Sequence, residues 1–300
     1  GAAAGICAIP RARNIPAYIV REDTPVPGTI MVKRLAALPE YAGVFLSKSE
    51  AEAKLDSRTL VVVVDTNRPD QVSCPNLLRA ARRITVIDHH RRAVDYIANA
   101  ALNYHEPYAS SAAELTAELM QYIIEPTDLL RTEAEALLAG IVLDTKNFTL
   151  RTGGRTFEAA AFLRRCGGDT SEVHKLFQNN LTDMVHKFEI IKNATLCHNC
   201  VVVAASNLPV NRIIAAQAAD ELINVQGIKA SFVLFPEEDK VIISGRSGSD
   251  INVQAILETL GGGGNGAAAG AQLSNSTVEA AYTRLMVAID NYFSDQPETI

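Results

Sequence analysis

Two apolar stretches, Leu60-Val-Val-Val-Val64 and Ile84-Thr-Val-Ile87, decide the fold of this chain. Short, uniformly apolar and β-branched runs are typical of strands that are buried on both faces of a parallel sheet. Residues 75–83, which lie between the two stretches, have a helical pattern. A strand, a helix and a second strand in this order form a βαβ unit. The sequence therefore predicts an α/β fold with a parallel-sheet core in the N-terminal part.

Polar residues follow both predicted strands. Asp65 comes directly after the first, and Asp88-His89-His90 comes after the second. A third cluster, Gly140-Ile-Val-Leu-Asp144-Thr145, places a carboxylate at the end of an apolar helical stretch. Ligands of open parallel sheets bind beyond the carboxyl ends of the strands. Carboxylates with imidazoles suit Mn²⁺ or a similar divalent ion. One Asp alone would favour a turn or a helix cap, but the set together favours a metal site.

The remaining pattern indicates two α/β units joined by a helix. Ser111-x-x-Glu114 and Thr132-x-x-Glu135 have the spacing of helix starts. In the C-terminal part, residues 230–234 and 240–244 predict a hairpin around a turn at 236–239. The other predicted helices span 1–10, 157–166, 183–196, 213–222, 253–260 and 276–292, and the other predicted strands span 17–20, 44–46 and 201–203.

Composition excludes several classes of protein. The chain has 300 residues, of which 48% are hydrophobic and 21% charged, so it is neither disordered nor fibrous. Its 28 basic and 34 acidic residues give a net charge of −6. This charge argues against sequence-independent binding of duplex nucleic acid. A small phosphate substrate stays open, since local arginines and metal ions can supply positive charge. The longest apolar runs are too short for a membrane span.

The five cysteines are an odd number and are scattered along the chain. We expect reduced thiols in a cytoplasmic compartment. Cys197-His-Asn-Cys200 has the spacing of half a zinc site, but no second pair of ligands follows. A helix end that runs into a strand is the favoured interpretation of this segment.

Two features of the C-terminal part could contact phosphate. If the glycines of Gly261–Gly264 precede a helix, their backbone N–H groups could form an anion-binding concavity, although four glycines are more often a flexible turn. The run is not an ATP-binding P-loop, because no Gly-Lys-Ser/Thr follows it. Arg246, at the end of a predicted strand, could bind phosphate, stack on a base, or serve only as a surface charge.

Several motifs of the chain resemble those of a known family. Asp88-His89-His90 resembles the signature of the DHH phosphoesterase superfamily, and Val64-Asp65-Thr66 and Gly140–Phe148 resemble its second and fourth motifs. Gly261–Gly264 and Ala268-Ala-Gly-Ala-Gln272 resemble the DHH-associated domain. Gly245-Arg246-Ser247, followed by residues 250–254, most resembles the GdpP-type cyclic-di-AMP phosphodiesterases.

The resemblance implies an N-terminal DHH domain at 1–180, a linker helix at 181–198 and a smaller α/β DHH-associated substrate-binding domain at 199–300. It implies two divalent ions, usually Mn²⁺, in a cleft between the two domains. Asp65 would bridge the ions, His89 and Asp144 would hold the second, and Asp88 would orient a neighbour. His90, as the catalytic residue, would face the substrate phosphate. The implied substrate-binding residues are Arg246, Ser247, Gly262, Gly263, Gly264 and Asn265.

The chain departs from the family pattern at three places. The family's first motif, H-x-x-x-D-x-D-x-x-G, supplies a His and two Asp to the metals, and Gly1-Ala-Ala-Ala-Gly5 resembles its end. We therefore expect those ligands upstream, and impaired hydrolysis by the 300-residue chain. Asn67 stands where this subfamily commonly has His, and Asn265 replaces the histidine that ends the glycine run. Asn donates hydrogen bonds but does not become cationic near neutral pH.

The function that we predict is metal-dependent hydrolysis of cyclic-di-AMP to linear pApA. A short-oligonucleotide hydrolase or pAp phosphatase on the same scaffold is the alternative within the enzyme class. A catalytically dead nucleotide-binding regulatory module is the alternative outside it. The resemblance further implies a cytoplasmic domain of a membrane-anchored parent protein, and it leaves a homodimer open.

Overall fold

The computed structural model describes residues 1–21, 28–178, 180–248 and 250–294, and the chain divides into two compact units, Gly1–Gln178 and Asn179–Ile300. The helices of the first unit are α1 Ala2–Ala12, α2 Thr29–Ala36, α3 Lys48–Lys54, α4 Pro75–Ala80, α5 Ala112–Ile123, α6 Arg131–Asp144, α7 Gly154–Arg165 and α8 Thr170–Leu176. Its strands are β1 Ile19–Val20, β2 Phe45–Leu46, β3 Leu60–Val64, β4 Arg83–Asp88 and β5 Leu102–His105. Three short 3₁₀ helices span Pro39–Tyr41, Pro69–Gln71 and Pro126–Asp128.

Strands β3 and β4 form the predicted parallel sheet, and β5, which the sequence did not predict, pairs in parallel with β4. Strands β1 and β2 form a separate parallel pair. The predicted burial on both faces is correct for β4, in which Ile84, Val86 and Ile87 are at most 2% exposed. It is wrong for β3, whose Leu60 is 52% exposed. Among the described residues β3 pairs with β4 alone, so it is an edge strand that neighbours cover only partly.

Helices α1, α5, α6 and α7 pack around one apolar cluster that includes Ala8, Leu137 and Ile141. The predicted start of α5 is confirmed, because the Glu114 N–H donates to Ser111 Oγ at 3.0 Å. The predicted start of α6 at Thr132 is wrong. Helix α6 begins at Arg131, and the Leu130 N–H donates to the side chain of Glu133 at 2.9 Å. A carboxylate in the first turn therefore caps this helix.

The second unit is a six-stranded mixed sheet with two helices on each face. Its helices are α9 Leu181–Lys192, α10 Arg212–Ile223, α11 Val253–Glu258 and α12 Val278–Ser294. Its strands are β6 Thr195–Cys197, β7 Val201–Ala205, β8 Ala230–Glu237, β9 Lys240–Ser247, β10 Gly263–Asn265 and β11 Ala268–Ser274. The sheet order is β10-β11-β9-β8-β7-β6, and only β7 and β8 pair in parallel.

Successive side chains of the central strands β7 and β8 point alternately into two separate cores. Val202 and Val233 face α9 and α10, whereas Val203 and Phe232 face α11 and α12. The predicted hairpin is confirmed as β8–β9, although Pro236 is part of a strand and not of the turn. None of the helices within the described ranges is both long and apolar enough to cross a bilayer.

The segment around residue 195 differs from the prediction. The helix predicted over 183–196 ends at Lys192, and residues 195–197 form β6. Cys197 and Cys200 flank a tight turn between β6 and β7, in which His198 and Asn199 have φ of 48° and 58°. The expected helix end is therefore a β-hairpin. Helix α9 packs within the second unit, where Ile190 belongs to one of the two cores. The linker assignment for 181–198 stays a prediction.

Candidate active site

Asp65 stands at the carboxyl end of β3 with an unusual backbone conformation. Its φ is 67°, a left-handed value that costs free energy for a residue with a side chain. Its N–H still donates to Ile87 O at 3.0 Å, so the residue stays tied to β4 while the chain turns away. The carboxylate is partly exposed at this edge of the sheet.

His89 follows β4 and brings two carboxylates together. Its side chain is only 5% exposed, and its Nε2 lies 3.4 Å from Asp65 Oδ1 and 3.7 Å from Asp144 Oδ2. Asp144 is the last residue of α6, so a helix and two strands meet here. His89 Nδ1 is buried and has no hydrogen-bond partner among the described residues. The structure thus brings together the three residues that we predicted as metal ligands.

The donor set and its spacing fit a divalent cation. Two ligand atoms that share one ion at about 2.0–2.3 Å each lie about 3–3.7 Å apart at ordinary bond angles, which is the range of the His89–carboxylate distances. Among the described residues, the group whose donor atoms all lie within 4.8 Å of one another consists of Asp65, His89 and His90, and it does not include Asp144. Carboxylate oxygens with imidazole nitrogens suit Mn²⁺ and similar ions.

Electrostatics at this edge favour a positive charge. Burial raises the pKa of Asp144, and the negative charge of Asp65 raises it further. Two neighbouring carboxylates resist joint ionisation unless a cation compensates them. A bound divalent ion would supply that charge to Asp65 and Asp144 together.

Asp88 is fully buried and faces other partners. One oxygen lies 2.8 Å from His90 Nδ1, and the other accepts from Asn67 Nδ2 at 2.5 Å. Burial alone would raise the pKa of Asp88, but hydrogen bonds from His90 and Asn67 outweigh it and lower that pKa. The hydrogen bond to Asp88 in turn raises the pKa of His90, whose side chain is 54% exposed. The imidazolium form of His90 is therefore favoured.

Asn67 organises the loop after His90, a role that the sequence did not reveal. Its Nδ2 also donates to Arg91 O at 3.3 Å, and its Oδ1 accepts from the Ala93 N–H at 3.0 Å. The side chain is 2% exposed. An amide can donate and accept at once, and this loop uses both abilities.

The second unit places Arg246 and Ser247 at the end of β9. Arg246 Nε lies 3.2 Å from Asp220 Oδ1, and its Nη1 donates to Gly245 O at 2.9 Å. Ser247 Oγ donates to Lys229 O at 3.1 Å. Both predicted substrate-binding side chains thus already have partners within the unit.

The glycine run does not precede a helix, so that expectation was wrong. Gly261 follows α11 with φ of 78°, and the N–H groups of Gly261 and Gly262 donate to Glu258 O and Leu257 O. These two bonds form a Schellman motif, which commonly ends a helix with glycine. The chain then enters the β10–β11 hairpin.

The rest of the run belongs to that hairpin. Gly264 has φ of 148°, and a Cβ there would lie 2.5 Å from Ala269 Cα. Asn265 Oδ1 accepts from the N–H groups of Ala267 and Ala268 at 3.0 Å each, which closes the turn. A Cβ at Gly263 would meet nothing within 4 Å, whereas a Cβ at Gly262 or Gly264 would meet backbone atoms. Of these three glycines, Gly263 therefore faces open space.

Two adjoining cavities of about 370 and 350 Å³ lie in the second unit beside this hairpin. Gly263 lines both, Gly262 lines the first, and Gly264 and Arg246 line the second. Arg212, at the start of α10, lines both as well. Sequence reasoning missed Arg212, because nothing in its local pattern distinguishes it from a surface charge.

Comparison with family models assigns both units of this α/β chain. Residues 2–141 match the model for the DHH family, N-terminal domain, and residues 198–295 match the DHHA1 domain. The chain belongs to the DHH family, with the DHH domain followed by the DHHA1 domain.

Particular relatives are similar over nearly all of the chain. The cyclic-di-AMP phosphodiesterase PdeA of Listeria monocytogenes is 39% identical over 99% of this chain and 46% of its own length. The cyclic-di-AMP phosphodiesterase GdpP of Bacillus subtilis is 39% identical over 98% of this chain and 46% of its own length. The chain thus spans about half the length of these relatives. An exopolyphosphatase-related protein from Bacteroides fragilis shares the fold, with a TM-score of 0.80, 17% identity, and coverage of 96% of this chain and 86% of that one.

Proposed function

We propose that this chain is a metal-dependent phosphodiesterase that hydrolyses cyclic-di-AMP to linear pApA. The observation that carries the proposal is the placement of His89 Nε2 within 3.7 Å of both Asp65 and Asp144. The 39% identity to two cyclic-di-AMP phosphodiesterases over 98–99% of the chain supports the choice of substrate.

Asp65, His89 and Asp144 would hold the metal, and Asp65 would serve both ions of a two-ion site. When bound, Mn²⁺ or a similar ion lowers the pKa of water and stabilises charge on the attacking and leaving oxygens. Asp88 contacts Nδ1 of His90 and is itself held by a hydrogen bond from Asn67. His90 in its imidazolium form would then donate a hydrogen bond to the substrate phosphate.

The second unit would bind the nucleotide. Arg246 can exchange Asp220 for phosphate, because a guanidinium makes similar paired hydrogen bonds to both anions. The proposed contacts are Arg246, Ser247, Gly262, Gly263, Gly264 and Asn265. Of the glycines, Gly263 has the most room for a ligand, since a Cβ there meets no atom within 4 Å.

The test is release of pApA from cyclic-di-AMP, followed by chromatography, with millimolar Mn²⁺ and with a chelator. It is run on the 300-residue chain. We expect slow turnover that requires Mn²⁺ and is lost with the chelator. Turnover that is indifferent to chelator would contradict the proposal.

Matched variants make this assay specific. His89→Ala and Asp65→Asn should reduce turnover by at least about 100-fold, as expected when an essential ligand of a catalytic metal is lost. His174→Ala and Asp70→Asn change the same residue types at exposed positions of the first unit, and they should leave turnover unchanged.

The same assay separates the alternatives. Faster cleavage of short oligonucleotides or pAp than of cyclic-di-AMP would indicate the short-oligonucleotide hydrolase or pAp phosphatase. Tight binding without any hydrolysis would indicate the regulatory module. A cytoplasmic location in a membrane-anchored parent, and a homodimer, stay predictions from the family resemblance.

A further inference from the structure

The two cavities of the second unit form one groove along β9 and β11. On the face that lines it, Ile242, Ser244 and Arg246 of β9 stand opposite Gln272, Gly270 and Ala268 of β11. From Ile242 to Arg246 the strand rises by about 13 Å. Small side chains at Ser244, Gly270 and Ala268 keep the middle of the groove open. Its length and volume suit a ligand larger than a single phosphate group.

Both charged residues that line this groove in the described part of the chain are arginines, Arg212 and Arg246. Each pairs with a carboxylate, Glu237 for Arg212 and Asp220 for Arg246. Neither carboxylate lines either cavity. Both arginines therefore border the groove, whereas their carboxylate partners do not line it.

Arg212 is arranged to exchange its partner. Its Nε donates to Glu237 Oε1 at 2.8 Å, and its Nη2 contacts Glu237 Oε2. The Arg212 side chain is 52% exposed, and an ion pair in contact with water contributes little net stability. A phosphate group offers oxygens that accept the same two hydrogen bonds. Replacing Glu237 by phosphate would thus cost little.

We infer that Arg212 is a second phosphate-binding arginine of the groove, and that Glu237 takes the place of the phosphate in the ligand-free protein. Arg246 and Arg212 would then each bind one phosphate of the same molecule. This inference rests on the proposed function, and it adds that the second unit selects ligands with two phosphates over mononucleotides.

The test is calorimetric titration of cyclic-di-AMP and of AMP into the 300-residue chain with a chelator present, so that hydrolysis does not interfere. Arg212→Gln should weaken cyclic-di-AMP binding by about 10- to 100-fold, as for a lost hydrogen bond to a charged group. It should weaken AMP binding much less. Arg284→Gln, which removes the same charge from α12 on the other face of the sheet, should change neither affinity.

Glu237→Gln distinguishes ligand binding from a structural ion pair. If Glu237 competes with phosphate, this variant should bind cyclic-di-AMP as tightly as the wild type or more tightly. Weakening by both Arg212→Gln and Glu237→Gln to the same extent would overturn the inference, as would an unchanged affinity of Arg212→Gln. Thermal unfolding of each variant checks that the second unit stays folded.

Failure of this inference and failure of the proposed function give different results. Wild-type binding of cyclic-di-AMP that is sensitive to Arg212→Gln, without any hydrolysis in the presence of Mn²⁺, would keep this inference and refute the phosphodiesterase. Hydrolysis of cyclic-di-AMP by Arg212→Gln with the same KM as the wild type would refute this inference and keep the phosphodiesterase. Absence of any cyclic-di-AMP binding by the wild type would overturn this inference.

Discussion

The imidazole of His89 is nearly fully buried, whereas the two carboxylates that approach it are partly exposed. A buried ring nitrogen without a partner, as His89 Nδ1 is among the described residues, costs stability. The left-handed backbone of Asp65 adds a second local cost. Such costs concentrate at functional sites, where side-chain placement matters more than local stability.

At the residue scale, the contact between His90 and Asp88 predicts a titration. In the metal-free chain the pKa of His90 should lie above its ordinary value of about 6.5. Asp88→Asn should lower it, and Asp70→Asn, on the surface, should not. The contribution of protonated His90 to stability is lost as pH rises through that raised pKa. The contribution of ionised Asp88, whose pKa is lowered, is lost as pH falls through it.

The measurement is an NMR pH titration of the His90 ring that passes through its pKa. A pKa of His90 at or below the ordinary value in the wild type would contradict the contact. An equal pKa in the wild type and in Asp88→Asn would show that Asp88 is not its cause.

A second residue-scale prediction concerns Glu133, which joins α1 to α6. Its fully buried carboxylate accepts from Arg11 at 2.7 and 2.8 Å, from Tyr41 Oη at 2.8 Å and from Leu130 N at 2.9 Å. Glu133→Ala leaves the Arg11 charge and the Tyr41 hydroxyl without this partner. We expect a loss of about 3–5 kcal/mol in the free energy of unfolding of the first unit. Urea unfolding measures it.

The matched control is Glu189→Ala on α9, where the side chain is 64% exposed. It should change stability by less than about 0.5 kcal/mol. A similar loss in both variants would show that the buried network contributes nothing specific.

At the element scale, the β10–β11 hairpin predicts opposite effects at neighbouring glycines. Gly264→Ala should destabilise the second unit by about 1–3 kcal/mol, because φ is 148° and the new Cβ would meet Ala269. Gly263→Leu should leave stability nearly unchanged, since its Cβ meets open space, but it should block nucleotide binding in the groove. Thermal unfolding and calorimetric titration measure the two effects. Unchanged nucleotide affinity in Gly263→Leu would exclude this groove as the binding site.

Sequence pattern predicted elements best where local chemistry decides them. The apolar run of β4 and the Ser111 cap of α5 are examples. Prediction failed where distant neighbours decide. Leu60 is exposed because β3 lies at the edge of its sheet. The start of α6 is a different case, because a local cap from Glu133 to Leu130 competes with the predicted one at Thr132. The glycine run formed a helix end and a hairpin, which four identical residues alone do not distinguish.

The candidate site shows the same difference between residues with a local sequence signal and residues placed by long-range packing. Asp65, His89 and Asp144 were predictable because each follows an apolar run, and the structure brings them together. Asn67 was noted only as a departure, since its bond to Asp88 spans 21 positions. Arg212 was missed because its place on the groove depends on how α10 packs against the sheet. Long-range packing of this kind leaves no local signal in a single sequence.

At the scale of the whole molecule, the division at Gln178 predicts an independent second unit. Residues 179–300 contain two apolar cores, one on each face of a six-stranded sheet. Expressed alone, this segment should unfold cooperatively, because a sheet covered on both faces buries its own core. Circular dichroism during heating measures this. A broad, non-cooperative transition would show that the second unit needs the first.

Asp65, His89 and Asp144 of the first unit are the proposed metal ligands on which the function depends most, and anomalous X-ray scattering tests them most directly. Crystals of the protein are soaked in MnCl₂, and data are collected at the manganese edge. We predict an anomalous peak about 2.0–2.3 Å from His89 Nε2 and from at least one of the two carboxylates that approach it, Asp65 and Asp144. A fully occupied manganese site elsewhere, with no peak within bonding distance of His89, would contradict the account.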